Sequence, residues 1–327
     1  MNAVYLQTND AEKNEVVAFR RDADGTLAPL GTYATGGRGT GKPHLASQSS
    51  IVVSGDRLFV VNAGSDDVSV FAIASDGLSL LDRAASGGSM PTSVAVRDAN
   101  VYVLNAGGEP NVTGFTLGDA GLTFTGDTRA LPDSDPAQIG FTPDGSSLIV
   151  SDRANDALLA LPVAGGEPIR RPSSGATPYG FDFTPDGTLV VTEAFGGTVG
   201  SAAASSYAAG LQPVSKSVAN MRSEVCWAAV TKDGRYVFVT NFGDGSISSY
   251  AISSDGSLSL VDAVAGSTVL GEKGVRDEAL SSDGRFLYTL DADARKVFAF
   301  AVRDGGRLDP VGDFDGLPAT AAGLAAV

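Results

Sequence analysis

The sequence predicts an all-β fold, a propeller of seven four-stranded antiparallel blades whose ring is closed by the C-terminal strand. Three observations carry this expectation. A hydrophobic strand core ending in an amide or acid returns seven times, as YLQTN (5–9), LFVVN (58–62), VYVLN (101–105), LIVSD (148–152), LVVTE (189–193), VFVTN (237–241) and LYTLD (287–291). The spacing of roughly 41 to 53 residues holds several short strands, and such a unit buries both faces only when neighbours pack against it. The chain also starts in the second strand of a unit and finishes on LPATAAGLAAV (317–327), which matches first-strand stretches such as MPTSVAV (90–96).

Each unit divides into strands A to D, counted outward from the axis. Strands A and B meet at Asp-Gly in FTPDGSSLIV (141–150), FTPDGTLVV (183–191), VTKDGRYVFV (230–239) and LSSDGRFLYT (280–289). The glycine supplies the positive φ that tight hairpins demand. Units two and three carry the weaker turn signals SGDR (54–57) and RDAN (97–100). Strand C alternates with period two, as in VSVFAI (68–73), ISSYAI (247–252) and VFAFAV (297–302), and strand D follows another glycine-rich turn, as in LSLLD (78–82). Unit five departs at strand C, where the small and polar TVGSAAASSYAAG (198–210) reads as an insertion over one face. The expected organisation is one domain over 1–327, with 317–327 supplying the inner strand of the blade begun by 3–35. That closure removes the edges a linear stack would expose.

Composition narrows the function classes. A formal charge of −15 argues against partners recognised through phosphate backbones or anionic lipid, which require clustered Lys and Arg. Much of the acidity falls on Asp-Gly turns. No stretch approaches the eighteen apolar residues of a membrane helix, and Met1 leads straight into a strand pattern, so a cytoplasmic, soluble protein is expected. The single cysteine, Cys226, excludes an internal disulfide, and with one histidine a zinc site is not expected. DADG (22–25) and DSD (133–135) lack calcium-loop spacing and read as solvated turns. GGRGTGK (36–42) lacks P-loop spacing and reads as a mobile loop near His44.

In a propeller the starts of strands A and the B–C turns crowd one mouth of the central channel. The B strands end in Asn9, Asn62, Asn105, Asp152, Glu193, Asn241 and Asp291, and the A strands start near His44, Thr92, Gln138, Tyr179, Trp227 and Arg276. Asn and Asp at strand ends commonly satisfy backbone groups of the following turn. Glu193 stands apart, because glutamate has poor strand and turn propensity. His44, the lone histidine, is either a proton shuttle or a hydrogen-bonded residue at a loop-to-strand junction. Trp227 and Cys226 read as core and inter-blade packing. Tyr179, Gln138, Asp152, Arg153, Asn241 and Asp277 form the candidate substrate-binding set.

These residues resemble the seven-bladed lactonase family that includes bacterial 6-phosphogluconolactonase and the fungal 3-carboxy-cis,cis-muconate lactonizing enzyme. The resemblance spans essentially the whole chain and is sharpest in CWAAVTKDGRYVFVTN (226–241), in Glu193 ending LVVTE and in Arg276 of GVRDEALSSDG (274–284). It implies an active site containing Glu193 and Arg276. The chain departs from the family pattern where Pro-Arg-His usually precedes that glutamate: Tyr179 and Gly180 stand for the arginine and histidine. Likewise, 135–138 reads Asp-Pro-Ala-Gln, without the histidine often found there.

Lactone hydrolysis needs a base to activate water and a donor or cation for the developing oxyanion. Glu193 would be the base, Arg276 the electrostatic partner and His44 a third catalytic candidate. The competing structural reading pairs Glu193 with Arg276 across the channel. The expectation is therefore a cofactor-free lactonase, without a metal, acting as a monomer on a sugar or related lactone. A ligand- or protein-binding propeller and a muconate-type lactonizing or isomerising enzyme are the alternatives.

Overall fold

The computed structural model describes residues 2–43 and 45–327; His44 lies outside the described residues, so its expected role has no structural counterpart here. Seven four-stranded antiparallel sheets surround a common axis. Blade two, for example, runs Ile51–Ser54, Arg57–Asn62, Asp67–Ala74 and Gly77–Ala85 from the axis outward. In blade one the order is Ala322–Ala326, Ala3–Gln7, Glu15–Arg21 and Leu27–Ala34, so the C-terminal strand becomes the innermost strand of the blade that the N-terminus begins.

The core is a ring of layers between blades. Val4 and Leu6 of blade one pack on Tyr288 and Leu290 of blade seven, while Tyr5 of the same strand turns the other way onto Leu58 and Val60 of blade two. Equivalent clusters fill the remaining blade interfaces. Because both faces of a B strand are covered, strands such as Ala3–Gln7 and Leu189–Glu193 are buried at every residue. This explains their continuous apolar run where a half-buried strand would alternate. The outermost strands are mostly exposed, and in blade four Ile169–Pro172 is exposed throughout.

The A–B turns form where Asp-Gly predicts, with Gly145, Gly187, Gly234 and Gly284 at positive φ. The aspartate also acts as a local acceptor. Asp144 accepts from the Thr142 hydroxyl at 2.6 Å and the Ser146 amide at 3.0 Å, and Asp233 and Asp283 repeat the pattern with Thr231 and Ser281. The two weak turn signals still give tight hairpins, closed by Ser54 opposite Arg57 and Arg97 opposite Asn100.

Two expectations are corrected. Residues 198–210 are no insertion: Ala203–Ala208 is strand C of blade five, entered and left through short 3-10 turns at Phe195–Gly197 and Ala209–Leu211. Its Ala and Ser side chains are small because Ala204, Ser205 and Ser206 are completely buried between blades. The 36–42 loop is stitched down between blades one and two. Its Gly39 and Gly41 amides donate to the Asp10 and Asn9 carbonyls, and the Gly64 amide donates to the Arg38 carbonyl. Among the described residues, no helix is long and apolar enough to cross a membrane.

Candidate active site

A β-bulge marks the start of the inner strand in blades three to seven. In blade seven Val275 faces Asp291 but Asp277 faces Leu290, which leaves Arg276 as the extra residue. The same irregularity frees Thr92, Ala137, Tyr179 with Gly180, and Cys226 with Trp227. A bulge kinks the strand and re-aims its side chain. Thr92, Tyr179, Trp227 and Arg276, singled out at the A-strand starts, are thus released from the ladder at the channel mouth, whereas Gln138 stays paired with Ser151 beside the released Ala137.

Three of the sequence candidates meet there. The Arg153 guanidinium donates to the Tyr179 hydroxyl at 2.7 Å and to Asp135 at 2.6 Å, and lies 4.8 Å above the Tyr179 ring. Tyr179 in turn packs against Trp227 with ring centroids 5.0 Å apart, and the Trp227 indole N–H donates to the Arg276 carbonyl. Arg276 stacks 4.6 Å over Phe242 and donates to Asp293 at 3.0 Å, while its Nε is buried without a hydrogen-bond partner among the described residues. Beside it, Lys273 pairs with Glu224 at 2.7 Å. Both arginines are largely withdrawn from solvent, with 15% and 11% of their side chains exposed.

Electrostatics ties these groups together. Burial pushes the Cys226 thiol up to about 12 and Glu224 adds to the rise, while Arg276 and Arg153 both oppose it, which puts the two guanidinium charges in range of one sulfur. The thiol stays protonated and is no nucleophile. Burial raises the Tyr179 phenol as well, with Cys226 adding and Arg153 opposing, so this hydroxyl is a proton donor at neutral pH. Burial works against the Arg153 charge, but Tyr179 and Asp135 outweigh it.

The remaining candidates point elsewhere. Glu193, expected at the mouth, is completely buried and its carboxylate turns outward across blade five. It accepts from Ser205 at 2.6 Å, Ser217 at 2.6 Å, the Gly175 amide at 2.7 Å and Ser173 at 3.4 Å. Arg276 is not among its partners and pairs with Asp293, where the competing reading had paired it with Glu193 across the channel. Asp152 accepts from Ser134, Asn155, Arg170 and the Asp135 amide, and Asn241 bonds Ser246, Ser248 and Asn220, all within their own blades or the adjoining loop. The B-end ladder therefore organises blades from within, as strand-end amides and acids commonly do.

Gln138 and Asp277 instead stitch inner strands together. The Gln138 amide donates to the Phe181 carbonyl at 2.9 Å and accepts from the Phe181 N–H at 2.7 Å, imitating a strand partner for blade five. Asp277 accepts from the Glu278 amide at 2.8 Å and from the Leu324 amide of blade one.

Several channel residues escaped the sequence reading. Gln48, from the approach to blade two, crosses the axis and donates to the Ala228 carbonyl of blade six at 2.8 Å. It passes over Gly180, where a Cβ would stand 2.7 Å from its Oε1 and 2.6 Å from the Cys226 carbonyl. Nothing larger than glycine fits there, because the blade-six backbone at Cys226 and Trp227 crowds the position as closely as Gln48 does. Asp182 and Glu278 line the same axis; burial raises Asp182 to about 6 and pushes Glu278 well above the usual range, with Asp277 and Asp182 adding to the latter. Both Glu278 oxygens are buried without a hydrogen-bond partner among the described residues. Acids inside the inner-strand segments FDF and RDEAL were the available signal, since carboxylates are rare in strands. A 580 Å³ cleft lies on the opposite face, at the A–B turns between blades four and five, floored by Ile149, Phe183, Leu189 and Leu211.

Fold and mouth together define a seven-bladed propeller with a bulge-borne, arginine-bearing channel site. The sequence matches the family described as "Lactonase, 7-bladed beta-propeller" over residues 9–118 and 191–316, and the chain belongs to that family. No curated protein sequence matches it. Among solved structures it is similar to a protein of Bacteroides uniformis provisionally described as a 6-phosphogluconolactonase, at 20% identity and TM-score 0.76, covering 100% of this chain and 99% of that one. It is also similar to the periplasmic gluconolactonase of Pseudomonas aeruginosa, at 17% identity and TM-score 0.78, covering 100% and 99%. A Lactobacillus plantarum protein aligns at 19% identity and TM-score 0.77 over the full length of both chains.

Proposed function

We propose that the chain hydrolyses a lactone at the channel mouth formed by Arg153, Tyr179 and Arg276. The observation that carries this reading is a pair of largely buried guanidinium groups from different blades whose charges both act on the Cys226 thiol, one with an Nε–H that has no partner among the described residues. Buried donors aimed at developing charge are the largest source of stabilisation in acyl transfer. In the reaction a water oxygen bonds to the lactone carbonyl carbon, and the oxyanion is held by Arg276. Our assignment for the group that takes the water proton is Asp293, the carboxylate bonded to Arg276. Collapse of the tetrahedral intermediate breaks the ring ester bond, and the departing alkoxide takes the proton back from Asp293, giving a hydroxy acid.

The test is acid release from a sugar lactone in a pH-stat, corrected for spontaneous opening. Turnover above background that falls about 100-fold in Arg276→Ala, the loss typical of a removed oxyanion donor, supports the proposal. Undiminished turnover in that variant removes Arg276 from the site. One observation favours a second reading, a propeller that binds a ligand without chemistry: Gln48 occupies the space over Gly180 where the family pattern carries a histidine. Absence of turnover with every lactone tried would move the assignment there.

A further inference from the structure

The mouth offers its cations already matched with acids. Arg153 is bonded to Asp135 at 2.6 Å, Arg276 to Asp293 at 3.0 Å and Lys273 to Glu224 at 2.7 Å, so each positive group that could grip an anionic substituent holds a carboxylate first. Lys42, in the segment before blade two, is exposed on the loop between blades one and two. A lone exposed lysine contributes little to holding an anion. The whole chain adds a formal charge of −15. A phosphate monoester carries about −1.5 to −2 at neutral pH and would approach against that field, then compete with the three carboxylates for their partners. The rings of Tyr179 and Phe242 each lie against one of these guanidinium groups, which occupies a further face of each cation.

We infer that this site selects an uncharged, hydroxylated lactone and discriminates against its phosphate ester; the inference rests on the hydrolase reading above. The same charge balance assists turnover. The substrate enters neutral and leaves as a carboxylate, so the acidic surface repels the product and not the reactant.

The test compares kcat/KM for glucono-δ-lactone and its 6-phosphate at low and high salt, with Asp135→Asn run alongside. The expected result is a preference of at least tenfold for the neutral lactone, narrowed by added salt through relief of the phosphate ester alone. Asp135→Asn releases Arg153 from its acid and should raise kcat/KM for the phosphate ester at least fivefold relative to the neutral one. Should that variant fold poorly, Glu224→Gln releases Lys273 and gives the same comparison. Preference for the phosphate ester, or a ratio that neither variant nor salt alters, overturns the inference and leaves the hydrolase standing. No turnover of either substrate removes the hydrolase and this inference together.

Discussion

At the scale of single residues, two glutamates exchange the significance that sequence alone would give them. Glu193 breaks a ladder of Asn and Asp and invites a catalytic reading, yet its four hydrogen bonds to blade five and the loop leading into it explain its choice: a longer side chain reaches Ser205 and Ser217, on the third and fourth strands. Replacing it by glutamine keeps the volume but presents an NH₂ to donors that need an acceptor, at a cost of about 1–3 kcal/mol for a buried group left unsatisfied. Glu193→Gln should therefore lower the melting temperature by a few degrees while lactone turnover, measured well below the melt, stays within about twofold. A turnover collapse with an unchanged melt would return Glu193 to the chemistry. Glu278, by contrast, drew no notice in the sequence and lies in the channel with both oxygens unpartnered among the described residues. Arg276 and Tyr179 were legible because their positions follow from counting strand starts, and Arg153 because it follows the B-strand end at Asp152. Side-chain direction was not legible: whether a B-end residue turns to the axis or into its blade depends on three-dimensional neighbours that spacing does not encode.

At the scale of elements, the strand cores and Asp-Gly turns announced seven units, and the mismatch between the first and last announced the closure. What remained hidden is how the inner edges are satisfied, since an A strand has a neighbour on one side only and its other edge faces the channel. Gln138, Asp182 and Asp277 each reach a backbone amide of the next blade's inner strand, at Phe181, Val230 and Leu324. These contacts join residues far apart in the chain, and no local pattern reports them. Closure itself depends on a residue with unusual geometry. Gly323 sits at φ +67 in the closing strand, and a Cβ there would stand 2.4 Å from the Ser50 hydroxyl. Gly323→Ala should lower the melting temperature by several degrees, through left-handed strain combined with the clash. Deleting 318–327 should do more, because it uncovers the Ala3–Gln7 edge and the packing of Val4 and Leu6 on Leu324. Aggregation or a melt lowered by more than 10 °C is expected, and a deletion variant that melts like the intact chain would refute closure as the source of stability.

At the scale of the whole molecule, two populations of carboxylate pull stability in opposite directions with pH. The turn aspartates are held below their usual range by local donors, as Asp144 is taken to about 2 by the Thr142 hydroxyl and the Ser146 amide, with Asp24 and Asp255 lowered in the same manner. A depressed carboxylate stabilises the fold above its unfolded value near 4 and loses that contribution as pH falls toward 2. The channel acids behave in reverse. Burial lifts Asp182 to about 6 and moves Asp277 and Glu278 well upward, so their favourable protonated state is complete below about 4 and the stability it gives is lost as pH rises through 6 and beyond. Self-repulsion from the −15 formal charge adds to the alkaline loss. Melting temperature should accordingly peak between about pH 4 and 6, decline toward pH 8 and fall again below pH 4. Glu278→Gln separates the channel contribution from the general charge effect, because it removes one ionisable group among 38 acids but the single carboxylate whose two oxygens are both orphaned among the described residues. Its melt should exceed that of the parent at pH 8 by about 2 °C or more and converge with it at pH 5. Parallel pH profiles for the two proteins would mean that Glu278 titrates in the folded chain as it does in the unfolded one, and that the alkaline decline belongs to the surface.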